Sequence, residues 1–239
     1  MATFQRPASK QSTARQVSLS WPWALWQEIQ HGSKPVSNIS VVLLMSPFRS
    51  MTKELFGARV YVGLHPFPDD VMLEMRKRAL TLHESTNPHG MPWSRCTRES
   101  LHVAEPFQQV TELIEHVVET EYGCSVSHLT GREVVIQNGQ CLPLHCEDTD
   151  LSAVFVLSTE ARANPERSDY SGAFVLVNPS GAFGFKRLPW EGLRSELIYP
   201  AAGMLLIFPS YLAHHTHPYN AQEPSVELHF ELNVVDNHA

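Results

Sequence analysis

The stretch LPLHCEDTDLSAVFVLS, Leu142 to Ser158, joins two unlike halves. Its second half, LSAVFVLS (151–158), is of strand length and apolar from Ala153 to Leu157, as expected of a strand covered on both faces. The first half sets His145 and Glu147 one residue apart at the entrance to that strand. In extended chain, residues i and i+2 project to the same side, so the imidazole and the carboxylate point together while Cys146 turns away. A plain buried strand would want apolar side chains there; a divalent metal would want this pair.

Downstream of Gly131 the chain reads as short strands divided by turns: REVVIQN, LPLHCE, LSAVFVLS, GAFVLVN, AFGFK, SELIYP, GMLLIFP and VELHFELNVV, with NG, NPSG and PAAG between some of them. Two helical segments precede them. In the first, Asp69 or Asp70 caps a helix whose apolar residues Val71, Met72, Met75, Ala79 and Leu82 recur at three- and four-residue steps. In the second, EPFQQVTELIEHVVETEYG, Pro106 suits the first turn, Phe107, Val110, Ile114 and Val117 or Val118 form the stripe, and Gly123 ends it. His116 then lies on the surface. A short strand, Ala58 to Leu64, comes before both helices. The expected fold is mainly β (α+β): a double-stranded β-helix, or jelly roll, braced on one outer face by the N-terminal helices.

Composition narrows the function. The 239 residues carry a formal charge of -7 and 43% hydrophobic residues, which suits a packed globule and offers no basic field to attract nucleic acid. The longest candidate span, ISVVLLM at Ile39 to Met45, is far below the ~20 apolar residues needed to cross a bilayer. Four cysteines without a C-x-x-C pair read as thiols of a reducing compartment, so the cytoplasm is the expected location. Residues 1–50 read as a leader, with 51–239 as the single folded domain. The first 27 residues hold Arg6, Lys10 and Arg15, no acid, and abundant Ser, Thr and Gln, a composition shared with organelle targeting peptides. The loop STNPHGMPWSRCTRES carries Trp93, Arg95 and Arg98, which suit either a binding surface or a core plug with solvated charges.

Two ligands make a weak site, so a third must come from a strand that is a spatial neighbour. FPSYLAHHTHP, Phe208 to Pro218, offers His214, His215 and His217 directly after the apolar run GMLLIFP. Alternation puts His215 on the opposite face from His214. His145 and Glu147 with one of these histidines are thus the expected metal ligands and catalytic centre, His214 being preferred while His215 and His217 suit the rim or substrate side. Two histidines and a carboxylate on one face of an ion leave adjacent positions open, the arrangement of non-heme Fe(II) oxygenases.

The segments GQCLPLHCEDTDLSAVFVL and GMLLIFPSYLAHHTHP resemble those of the Fe(II)- and 2-oxoglutarate-dependent dioxygenases, in particular a bacterial and phage group of that superfamily. Gly139, His145, Glu147, Leu151, Ser152, Phe208, Pro209, Ser210, Tyr211, Leu212, His214, Pro218 and Asn233 fall in register with the group's pattern. The resemblance spans roughly Tyr61 to Val235 and is most specific at Phe-Pro-Ser-x-Leu-x-His. It implies a double-stranded β-helix, Fe(II) held by His145, Glu147 and His214, 2-oxoglutarate as cosubstrate, O2, and a small-molecule or side-chain substrate that Trp93, Arg95 and Tyr211 would help to wall. It also implies an arginine on the last strand to clamp the remote carboxylate of 2-oxoglutarate. Glu227 stands there instead, and no Lys or Arg follows Arg194. The anchor must then come from Arg132, Lys186, Arg187 or Arg194, with Arg132 and Arg187 the foremost candidates. The alternative is a metal-dependent jelly-roll enzyme that does not use 2-oxoglutarate: an oxidation of a chelating substrate, or isomerase or hydrolase chemistry with Zn(II) or Mn(II). A binding module with a relic site is the third reading.

Overall fold

Whether a strand is covered on one face or two decides what its residues are, and here the central strands are covered on both. The computed structural model describes residues 50–65, 67–86, 101, 104–180 and 194–237. By backbone contacts the chain divides into residues 1–46 and 47–239. The leader, the tryptophans near residue 23, the loop with Trp93, Arg95 and Arg98, and the segment AFGFK with Lys186 and Arg187 all lie outside the described residues.

The described residues form nine strands: β1 (Ser50–Leu55), β2 (Ala58–Leu64), β3 (Cys124–Ile136), β4 (Leu151–Ser158), β5 (Phe174–Val177), β6 (Ser195–Ile198), β7 (Met204–Pro209), β8 (His214–Thr216) and β9 (Ser225–Asp236). The larger sheet runs β1-β2-β7-β4-β9-β3 and the smaller β6-β5-β8, with every pairing antiparallel. Leu142 to His145 lies along β8, joined to it by the bridge between His145 and His214 and by the bond from Thr216 N to Leu142 O. Two antiparallel sheets built this way make a jelly roll, as the strand pattern implies.

Side-chain alternation sorts the core into two layers. Leu151, Ala153, Phe155 and Leu157 of β4, with Leu205, Ile207, Leu228 and Phe230, pack under helices α1 (Asp69–Thr86) and α2 (Gln108–Val117), meeting Met75, Ala79, Val110 and Ile114. Val154, Val156, Leu206 and Phe208 face the other way, onto Phe174, Leu176 and Ile198 of the smaller sheet. β4 is therefore apolar from Ala153 to Leu157 because both its faces are interior. Burying each such large side chain contributes about 1.5–3 kcal/mol.

Asp69 and Asp70 occupy the first turn of α1, where negative charge complements the helix dipole. α2 continues into a π-helical turn, Val118–Tyr122, and stops at Gly123, whose φ of 73° is left-handed. Gly131 meets a different constraint: a Cβ there would lie 2.7 Å from the ring of Phe230, its cross-strand partner. None of the described helices is long and apolar enough to cross a membrane.

Three features depart from the strand pattern read in the sequence. β3 starts at Cys124, well before REVVIQN, because its polar first half, including exposed Ser127 and His128, ladders with the far end of β9. β1 precedes β2 through a hairpin turn in which Phe56 (φ 57°) and Gly57 (φ 78°) are both left-handed, as a two-residue turn demands. LPLHCE forms no full ladder, only the bridge at His145.

Candidate metal centre

His145 and His214 are directly opposed across an antiparallel bridge. His145 N donates to His214 O (3.0 Å) and His214 N donates to His145 O (2.8 Å), which brings the ring centroids to 4.1 Å. Each ring is also pinned by its own strand: His145 Nδ1 lies 2.7 Å from Pro143 O, and His214 Nδ1 lies 3.0 Å from Leu212 O. A carbonyl only accepts, so Nδ1 carries a hydrogen in both rings, and Nε2 is the ring atom left to offer a metal. Glu147 Oε1 sits 3.5 Å from His145 Nε2. One donor atom from each of His145, Glu147 and His214 lies within 4.8 Å of the others. Small rotations bring such atoms onto one ion with bonds of about 2.0–2.2 Å. The donor set thus fits a divalent first-row ion, and the expected pairing of His145 and Glu147 on one side, with Cys146 exposed, is what the structure has.

The loop behind the ligands is tied down by hydroxyls. Ser210, fully buried, has its Oγ 2.8 Å from Ser152 Oγ and 3.0 Å from Thr149 Oγ1, while its carbonyl accepts from Glu147 N at 3.2 Å. The turn after β7 and the arm carrying Glu147 therefore share one anchor. His215 and His217 lie on the other face, with their rings 5.7 Å apart and His217 5.4 Å from Tyr170.

His214 is 2% exposed and lies between Phe174 and Phe208, at ring-centroid distances of 5.4 and 4.9 Å. Burial, reinforced by the neighbouring His145, pushes its pKa down to about 3, so it stays neutral and ligand-ready. The unfolded chain titrates near 6.5, and a histidine held neutral in the fold lowers stability once the unfolded state takes up protons. The metal-free protein is accordingly expected to lose stability as pH falls below about 6.5 toward 3, checked by urea midpoints across that range, and His214→Asn should flatten the slope. A slope that is the same in the variant assigns the loss to other groups, of which His229, also pushed down by burial, is the first.

The interior beside the triad is charged. Arg132 on β3 donates from Nη2 to Glu147 Oε1 (2.6 Å) and from Nη1 to Glu231 Oε1 (3.3 Å). Its Nε is buried with no hydrogen-bond acceptor among the described residues. A cavity of about 10 Å³, room for about one water, adjoins it, lined among others by Arg132, Ser152, His214 and His229. Glu227, in the place where the resemblance implies an arginine, is 3% exposed; it accepts from His229 Nε2 at 2.8 Å and from Ser225 Oγ at 3.2 Å. Sequence reading missed His229 and Glu231 as members of this interior. Their signal was present, since ELHFEL alternates polar and apolar residues and places 227, 229 and 231 on one face.

No family model matches the chain, and no curated protein matches it. Solved structures similar to it include a prolyl-4-hydroxylase from Pseudomonas putida, at 14% identity and a TM-score of 0.49, covering 85% of this chain and 98% of that one. HygX from Streptomyces hygroscopicus, solved with nickel and 2-oxoglutarate bound, is similar at 14% identity and a TM-score of 0.47, covering 83% of this chain and 88% of that one. A prolyl hydroxylase from Trichoplax adhaerens, in complex with a hypoxia inducible factor oxygen degradation domain peptide, is similar at 12% identity and a TM-score of 0.45, with 92% and 96% covered.

Proposed function

We propose that residues 51–239 form a non-heme Fe(II)- and 2-oxoglutarate-dependent oxygenase that hydroxylates, or otherwise oxidises, a small molecule or a side chain. The observation that carries this reading is the convergence of two imidazole Nε2 atoms and one carboxylate, the donor set that would hold Fe(II) while leaving room for other ligands. With Fe(II) bound, the chemistry supplied is the oxidation of a C–H bond by O2 coupled to decarboxylation: substrate, O2 and 2-oxoglutarate give hydroxylated substrate, succinate and CO2.

The chain's own residues do the rest. His145, Glu147 and His214 hold the ion, and Phe174 and Phe208 keep water from the inner side of His214. Arg132 receives a carboxylate, which its unpartnered Nε favours. Leu144 and Tyr211, 57% and 59% exposed beside the ligand segments, suit the apolar wall of a substrate site. The free thiols Cys124, Cys141 and Cys146 suit a reducing, cytoplasmic setting.

Anaerobic Fe(II) protein should develop the visible charge-transfer band of a chelated 2-oxo acid when 2-oxoglutarate is added, and should release succinate once O2 is admitted. One observation favours a second reading: Glu227 is buried and paired with His229, and β9 holds no Lys or Arg. Under that reading the same centre oxidises a chelating substrate without 2-oxoglutarate. Metal-dependent O2 uptake with no band and no succinate decides for it.

A further inference from the structure

Two acids and one cation meet inside the barrel, and the cation is spread across both. Arg132 spans from Glu147, a candidate metal ligand, to Glu231, its Nε is buried with no acceptor among the described residues, and the residue lines the small cavity that His214 and His229 also line. The bond to Glu147 is short, 2.6 Å, as expected between charged partners. It uses Oε1, the same oxygen that faces His145 Nε2. A guanidinium and a divalent ion therefore address one carboxylate oxygen.

We propose that Arg132 competes with the metal for Glu147 and is handed to a ligand carboxylate when the metal takes Glu147, so that metal and carboxylate binding reinforce each other through this one side chain. The carboxylate half rests on the proposed use of 2-oxoglutarate; the competition half does not. Charge arithmetic favours the exchange. Glu147, Glu231 and Arg132 together carry -1, which favours a cation, and a divalent ion brings the group to +1, which favours an anion. Glu231 gives Arg132 a partner to keep when Glu147 is taken, so the arginine is not left as an uncompensated charge. Its buried Nε–H lacks an acceptor, and an unpaired buried donor costs stability, so an arriving oxygen finds a donor already desolvated.

The test is calorimetric titration of the full chain with Mn(II), alone and with 2-oxoglutarate, for wild type and Arg132→Gln, with thermal melts to confirm folding. Mn(II) alone should bind about tenfold more tightly to Arg132→Gln than to wild type, because a charge-assisted competitor is gone. In wild type, 2-oxoglutarate should tighten Mn(II) binding by about tenfold, and the variant should lose most of that coupling. Arg132→Lys, which keeps the charge but not the fork, should fall between the two, and it serves if the glutamine variant melts without cooperativity. Equal or weaker Mn(II) binding in a folded Arg132→Gln overturns the inference, since a residue that only positions Glu147 would weaken the site when removed. Tighter binding in the variant with no effect of 2-oxoglutarate on wild type supports the competition and overturns the cosubstrate instead.

Discussion

His214→Ala is expected to abolish metal-dependent turnover and to leave a folded protein. The substitution removes one of two imidazole donors and leaves His145 and Glu147, two ligands from a single short segment. Loss of a residue that merely supports a ligand typically costs about 10–100-fold in affinity or activity, so loss of the ligand itself should exceed about 100-fold in both. Folding should survive because the bonds joining the two arms, His145 N to His214 O and His214 N to His145 O, are backbone bonds that the substitution leaves in place. Mn(II) titration, turnover and a thermal melt on the same preparation check all three parts. His215→Ala, one residue along and on the opposite face, is the matched control and should bind Mn(II) as wild type does. Retained turnover in His214→Ala would transfer the ligand role to another side chain.

Phe155→Ala should cause the largest loss of stability of any change away from the site, about 3–5 kcal/mol by urea denaturation. Phe155 is fully buried, sits in β4 between Leu205 and Leu228, and meets the ring of Phe67 edge-on at 5.6 Å. The layer around it is clamped between the larger sheet and the two helices, so the hole left by the ring has little freedom to close. Because its neighbour Val154 faces the smaller sheet, Phe155 has no part in the metal centre. In the folded fraction, Mn(II) affinity should stay at the wild-type value. A loss below about 1.5 kcal/mol would mean that this layer is softer than its burial implies.

Much of the architecture was legible because two periodicities carried it. The three- and four-step stripe from Val71 to Leu82 marked α1, and the apolar runs at 151–158 and 203–209 marked the two strands at the centre of the larger sheet. The i, i+2 spacing of His145 and Glu147 put those two side chains together by local geometry, whereas alternation only set His214 and His215 on opposite faces, and the choice of His214 came from the resemblance of Phe-Pro-Ser-x-Leu-x-His. The first half of β3 was not legible: Ser127 and His128 face solvent, and what holds them in a strand is a ladder to β9 about a hundred residues away. Arg132 was one of four basic residues that could anchor a carboxylate once the arginine implied by the resemblance was missing from the last strand. That its charge is shared by Glu147 and Glu231 depends on three strands or loops converging, which no single stretch of sequence encodes.

The bridge between His145 and His214 also has a kinetic meaning. The segment that carries His145 and Glu147 is held to its neighbours by few backbone-to-backbone bonds: the reciprocal pair at His145 and the link from Thr216 to Leu142 along β8, and the tie from Glu147 to Ser210. Stretches held by so few backbone bonds open far more often than the core around them. The ion's escape rate should therefore follow the fraying of this border, visible as fast amide exchange at residues 145 and 147, while the central strands keep their protons for much longer. The proposed ion would then exchange without the fold coming apart.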